Sequence, residues 1–147
     1  INRLLFGFLL MKSPATGAMP YTYSTLGAEQ PFDDWSALQQ GQISRAGGGA
    51  VYHTQAGTLS TIQWEAAREG IDDARYVSTL ENLIDKASRN PKWATATKQA
   101  QQTLALVFDQ LPSHLYKTVG ELSPTEVDSM RAQIINAILK LRGALGD

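Results

Sequence analysis

Cysteine is absent from this chain of 147 residues, which excludes disulfides, thiolate metal ligands and a cysteine nucleophile while leaving the compartment open. Histidine is nearly absent: His53 and His114 stand far apart, each without a carboxylate or a second histidine at ligand spacing. A metal site needs several convergent ligands, so no metal is expected. An excess of either charge is also missing, because 13 basic residues face 14 acidic ones for a formal charge of -1. Without a global field, nucleic acid and an anionic membrane are not expected as partners. Long hydrophobic runs are lacking too. The longest, from Leu4 to Met11, is well short of the roughly 20 residues that a membrane span requires, and it ends in Lys12-Ser13-Pro14. A signal peptide would need a basic leader and a small-residue cleavage site, which Met19-Pro20-Tyr21 does not resemble. With the true amino terminus expected to lie upstream, the targeting is left open. Gly47-Gly48-Gly49 lacks the lysine and hydroxyl residue of a nucleotide loop and leads into an extended segment, so it reads as a flexible stretch. No serine, histidine and acid spacing suggests a catalytic triad, and no cofactor is expected.

What is there is apolar patterning. The length suits one ordinary domain. Ile1-Asn2-Arg3 runs straight into the apolar stretch with no initiator methionine or capping residue, so the chain is expected to begin inside an element. Residues 2–12 read as a helix end, with Leu4, Leu5, Phe8, Leu9 and Met11 surrounding the axis and Pro14 preventing continuation. Ala18 to Tyr23 reads as a short aromatic strand whose Pro20 lies at an edge or near its end. Ser24 to Gly49 has no sustained period and reads as a long loop. Ala50 to Thr54 is a brief extended segment before a turn at Gln55-Ala56-Gly57.

Helices fill the remainder. Ser60 or Thr61 can cap a helix through Glu69, which Gly70 is expected to interrupt before Ile71 restarts it. Ile71, Ala74, Val77, Leu80, Ile84 and Ala87 then form one apolar stripe, with Asp73, Glu81, Asp85 and Lys86 off it. Asn90-Pro91 begins another helix with Trp93, Ala96, Ala100, Leu104, Val107, Phe108 and Leu111 on one face, stopped by Pro112. Ser123-Pro124-Thr125-Glu126 is a capping box, followed by a seam of Val127, Met130, Ile134, Ala137, Leu141 and Ala144. Short connections predict that these last three helices pack antiparallel in succession. The fold class expected is therefore mainly α with one or two short strands.

Two passages resemble a known family. Trp64-Glu65-Ala66-Ala67-Arg68-Glu69-Gly70-Ile71-Asp72-Asp73-Ala74-Arg75-Tyr76 is similar to the tryptophan-glutamate, arginine-glutamate-glycine, aspartate-aspartate, arginine-tyrosine segment of proteins related to glycoside hydrolase family 123. Asn2 to Phe8, then Gly17 to Tyr23 and Pro31-Phe32-Asp33-Asp34, resemble that family's penultimate helix, final barrel strand and following loop. The resemblance implies a (β/α)₈ TIM barrel of which residues 1–88 are the carboxyl-terminal end, incomplete here. Residues 89–147, which resemble nothing diagnostic, are expected from their apolar spacing to be a helical tail in an antiparallel bundle. The resemblance also implies a carbohydrate ligand bound by the full-length protein at the carboxyl ends of the strands. Members of the family are thought to hydrolyse β-linked N-acetylgalactosamine, with the substrate's acetamido group as nucleophile and an adjacent aspartate and glutamate orienting it and donating the proton. Those two acids belong to an earlier strand, absent here, so this chain alone is expected to be inactive and to depend on the missing amino-terminal barrel strands.

Each candidate sugar-binding residue has a structural alternative. Tyr21 and Tyr23 share one side of the expected strand, facing either the ligand space or the final helix. Asp34, beside Asp33, either binds a sugar hydroxyl or caps a turn through the backbone. Trp35 either stacks on a pyranose or pins the loop down. Glu65 with Arg68, and Arg68 with Asp72, are expected as ion pairs on a structural ridge, and Trp64 as a core residue. A second reading is a non-catalytic, mainly helical interaction or scaffold module, which would cover Leu4, Leu5 and Phe8 itself.

Overall fold

The structure, a computed structural model, describes residues 2–19, 39, 50–112 and 122–146. These residues are mainly helical, with one small antiparallel sheet. The apolar opening forms two short helices, α1 (Asn2–Phe6) and α2 (Phe8–Lys12), separated at Gly7. Val51–Thr54 (β1) and Gly57–Ser60 (β2) then pair as a hairpin in which Thr54 faces Gly57. The turn is expected from the sequence and the second strand is not. Gly57 has φ 134°, a backbone value that residues with a Cβ rarely adopt. The expected strand from Ala18 to Tyr23 and the loop from Ser24 to Gly49 lie outside the described residues, apart from the strand's exposed first two residues and an isolated Gln39.

Thr61 joins the hairpin to the long helix α3 (Ile62–Ser88). Its backbone N–H and its hydroxyl both donate to the Ala50 carbonyl at 3.0 Å, closing the hairpin's base. The same hydroxyl oxygen accepts from the Trp64 N–H at 3.2 Å, the N-cap bond that the sequence leads one to expect.

Gly70 does not interrupt α3, which runs unbroken through it. Nor is Ile71 in the buried stripe, since it is exposed while Ala67, Gly70, Asp73, Val77, Leu80 and Ala87 are buried. The true inward face is turned toward Asp73, the residue the apolar pattern places outside. Glycine is required here for closeness: a Cβ on Gly7 would sit 2.8 Å from the Arg3 carbonyl oxygen and 2.9 Å from that of Gly70, and one on Gly70 would collide with the Arg3 carbonyl. The two backbones therefore nearly touch where the opening segment meets α3.

That segment lies parallel to α3. Asn2 donates to the Gln63 carbonyl, Gly7 abuts Gly70, and Ser78 donates to the Met11 sulfur, so the numbers rise together along both elements. Beyond α3, Asn90 accepts from the Lys92 N–H and starts a 3₁₀ turn at Pro91–Trp93 that leads into α4 (Ala94–Asp109). α4 folds back along α3, bringing Gln101, Leu104 and Phe108 beside Ser88, Ile84 and Glu81. The last helix, α5 (Pro124–Leu145), starts at the capping box and ends at Gly146 in the left-handed region. Its Arg131 lies at Asp73, and its Ala137–Ala144 stretch lies beside the first half of α4, so successive helices α3, α4 and α5 alternate in direction.

One hydrophobic cluster binds these parts: Leu4 and Phe8 from the opening, Val77, Leu80 and Ala87 from α3, Ala100 and Val107 from α4, and Val127, Met130, Ile134 and Leu141 from α5. The expected seams of α4 and α5 face the core, with Trp93, Ala96, Leu104 and Phe108 half-buried; the differences are that Ala144 is exposed while Thr97 and Ile138 are buried. Lys12 adds a polar tie, its ammonium donating to the Phe108 carbonyl at 2.7 Å and the Leu111 carbonyl at 3.3 Å, at the carboxyl end of α4.

Two outcomes follow. Alanine in an open helix is worth roughly 1 kcal/mol over glycine, but at Gly70 the overpacking should reverse the sign, and Gly70→Ala should lower stability by about 1–3 kcal/mol. Urea denaturation checks this, and a raised midpoint would show that the two backbones are not in contact. Second, the Ser123 backbone N–H and hydroxyl, both donating to Glu126, hold its carboxyl below its ordinary value of 4.5. A depressed folded-state pKa gives stability that is complete above 4.5 and lost as pH falls through the lowered value. Glu126→Gln should flatten the stability curve over that acid interval, measured by thermal melts at stepped pH; identical acid sensitivity in both proteins would contradict it.

Candidate functional site

The charged centre of the described residues is Asp73, whose side chain is fully enclosed. It sits on the inward face of α3 one turn after Gly70, whose missing side chain lets the opening segment approach. Arg3 reaches it from α1, with Nε donating to Oδ2 at 2.7 Å and Nη2 to Oδ1 at 3.4 Å. Arg131 reaches it from α5, donating from Nε to Oδ1. Each guanidinium then carries a second acid at the rim. Arg3 Nη1 donates to Asp128 Oδ1 of α5 at 2.6 Å, and Arg131 Nη2 meets Glu69 Oε2 at 2.8 Å and the Glu69 carbonyl at 2.9 Å. The Arg131 guanidinium also lies 6.0 Å from the centre of the Tyr76 ring, within cation–π range.

The titration behaviour follows the contacts. Burial lowers the affinity of both arginines for their protons, but hydrogen bonds to Asp73, with Asp128 for Arg3 and Glu69 for Arg131, outweigh it and leave both above the ordinary arginine value. The hydrogen bond from Arg3, then its charge, holds the Asp128 carboxyl below the ordinary aspartate value. Both Asp73 oxygens are engaged by guanidinium groups and enclosed, so the group is built to hold three elements together and presents no lone pair to a substrate. Its chemistry is that of an anchor.

The outer ridge of α3 behaves partly as its spacing suggests. Arg68 pairs with Glu65 at 2.9 Å as expected, whereas Asp72 pairs with Arg75 at 2.8 Å in place of Arg68. Both are exposed pairs of small energetic weight. Trp64 is half-buried, in keeping with a packing role. His53 lies on β1. Among the described residues, no group of three or more histidines and acids could hold a metal ion, and no helix is long and apolar enough to cross a membrane.

Tyr21, Tyr23, Asp34 and Trp35, the sugar-binding candidates, lie outside the described residues, as does His114. Nearest to them in sequence is the other side of the opening segment, where half-buried Leu5, Leu9 and Leu10 line an open cavity of about 380 Å³ with Ala15, Ala18 and Pro112. Sequence reasoning misses Arg3, Asp73 and Arg131 as a set. The usable signal is the series Ala67, Gly70, Asp73, Val77, Leu80, which keeps helical spacing only if an aspartate is admitted to the core face. The chain matches no protein-family model, no curated protein and no solved structure.

Removing the charge from Asp73 leaves two guanidinium groups facing each other over a neutral amide. Asp73→Asn should therefore destabilise the chain by on the order of 3 kcal/mol, read from chemical denaturation. A loss indistinguishable from that of an exposed pair such as Arg75–Asp72 would show that the network carries no weight.

Proposed function

We propose that this chain is the carboxyl-terminal part of a glycoside hydrolase family 123-like barrel protein, of β-N-acetylgalactosaminidase type, bearing one wall of the sugar pocket and none of the catalytic acids. The observation that carries this reading is the parallel course of the opening segment and α3, side by side and separated by a long stretch of chain. Two parallel neighbouring helices need a connection that brings the chain back to its starting level, which in βα architectures is a strand. The aromatic stretch from Ala18 to Tyr23 occupies the right place in the sequence. The two passages that carry the family resemblance also meet at one point, Arg3 with Asp73 and Gly7 against Gly70, so the two stretches have a common physical purpose in this chain.

On this reading the half-buried side of the opening segment, at Leu5, Leu9 and Leu10, would face preceding strands. Tyr21, Tyr23, Asp34 and Trp35 would line the pocket wall, binding hydroxyls and stacking on the sugar ring. Proton donation and orientation of the acetamido group would come from an aspartate–glutamate pair supplied upstream, and residues 89–147 would be a tail attached to the closing helix.

A second reading is favoured by a separate observation: Leu4 and Phe8 are buried in a cluster that α3, α4 and α5 of this same chain complete. That is the behaviour of a helical interaction or scaffold module without catalysis.

The readings part on one experiment. The product of the reading frame extended upstream is assayed on chromogenic β-N-acetylgalactosaminide and β-galactoside, beside the 147-residue chain alone. Turnover by the longer product and none by the short chain is the expected result. Inactivity of the longer product across a broad glycoside panel, or a start codon immediately upstream, would leave the module reading in its place.

A further inference from the structure

We propose that α5 is an internal clamp, in which Arg131 acts as a positioning residue that sets the opening segment on α3 through the shared carboxylate of Asp73. The inference concerns the tail, to which no family resemblance attaches, and it stands whether or not the carbohydrate reading holds.

Asp73 is enclosed and takes one guanidinium from the front of the chain and one from the tail, 70 and 58 positions away. The two ligands share Oδ1: Arg131 donates to it from Nε, and Arg3 contributes a longer bond of 3.4 Å from Nη2. Arg3 thus keeps its short bond to Oδ2 only while the carboxylate plane is held in that orientation, which Arg131 enforces from the other side. Arg131 is itself fixed from behind by Glu69 and by the Tyr76 ring. α5 also grips Arg3 directly through Asp128. Gly7 and Gly70 bring the two backbones nearly into contact one turn away, so the opening segment is seated on α3 directly beside this carboxylate.

Hydrogen exchange of the 147-residue chain tests the clamp. Arg131→Gln should accelerate exchange of amides in residues 5–12 severalfold, as much as Arg3→Gln does, while amides of Thr97 to Val107 on α4 keep wild-type protection. Arg131→Lys, which keeps the charge and one donor, should restore part of that protection. The two glutamine variants combined should add little to either alone, since each breaks the same unit. Unchanged exchange at 5–12 in Arg131→Gln would overturn the proposal, as would equal acceleration everywhere, which is a general loss of stability. Should Arg131→Gln fail to fold, Arg131→Lys against wild type decides the matter in its stead: selectively faster exchange at 5–12 upholds the clamp, and unchanged exchange there removes it.

Discussion

A carboxylate with no access to water organises this protein. Enclosing Asp73 removes its hydration, a cost of several kcal/mol for an isolated ion, and the rest of the arrangement around it is what makes that burial tolerable. Two guanidinium groups must arrive from different elements, each half-shielded and each held by a further acid at the surface. The glycines at 7 and 70 let the opening segment come close enough for the first arginine to reach, and the register of α5 along α3 delivers the second. Geometry elsewhere is thereby constrained, because a slip of either neighbour along α3 would leave a charge buried without its partner.

The apolar cluster supplies the bulk of the cohesion and the ionic centre supplies its registration. Hydrophobic contact is non-directional and tolerates sliding, since one leucine meets its neighbour nearly as well as the next. Phe8, Val77, Met130 and Ile134 would pack in more than one alignment. A guanidinium fork over a carboxylate does not, because its donors have fixed directions. The two kinds of force are layered, with the ionic centre beside the cluster where the opening segment, α3 and α5 converge.

Much of this is legible from residues. The Thr61 cap, the Asn90-Pro91 start, the Ser123–Glu126 capping box and the seams of α4 and α5 follow local rules in which a few side chains decide the outcome, and they lie where those rules put them. The face of α3 escapes those rules for a physical reason. Period analysis treats aspartate as solvent-facing and glycine as a break, whereas here both are inward because a tertiary partner uses them. No local pattern announces an arginine 70 positions away. The β2 strand is likewise hidden, since Gly57–Ser60 carries no apolar alternation and owes its form to the turn and to Thr61. The sugar-binding candidates rest on the family resemblance, which local patterning neither adds to nor removes.

The joint at Thr61 has a mechanical corollary. One hydroxyl bonds the foot of the hairpin and the first turn of the long helix at the same moment, so no free hinge separates the ribbon from the rod. Force applied at the exposed tip near Gln55 and Ala56 is therefore delivered to the helix as torque, with a lever arm equal to the ribbon's length.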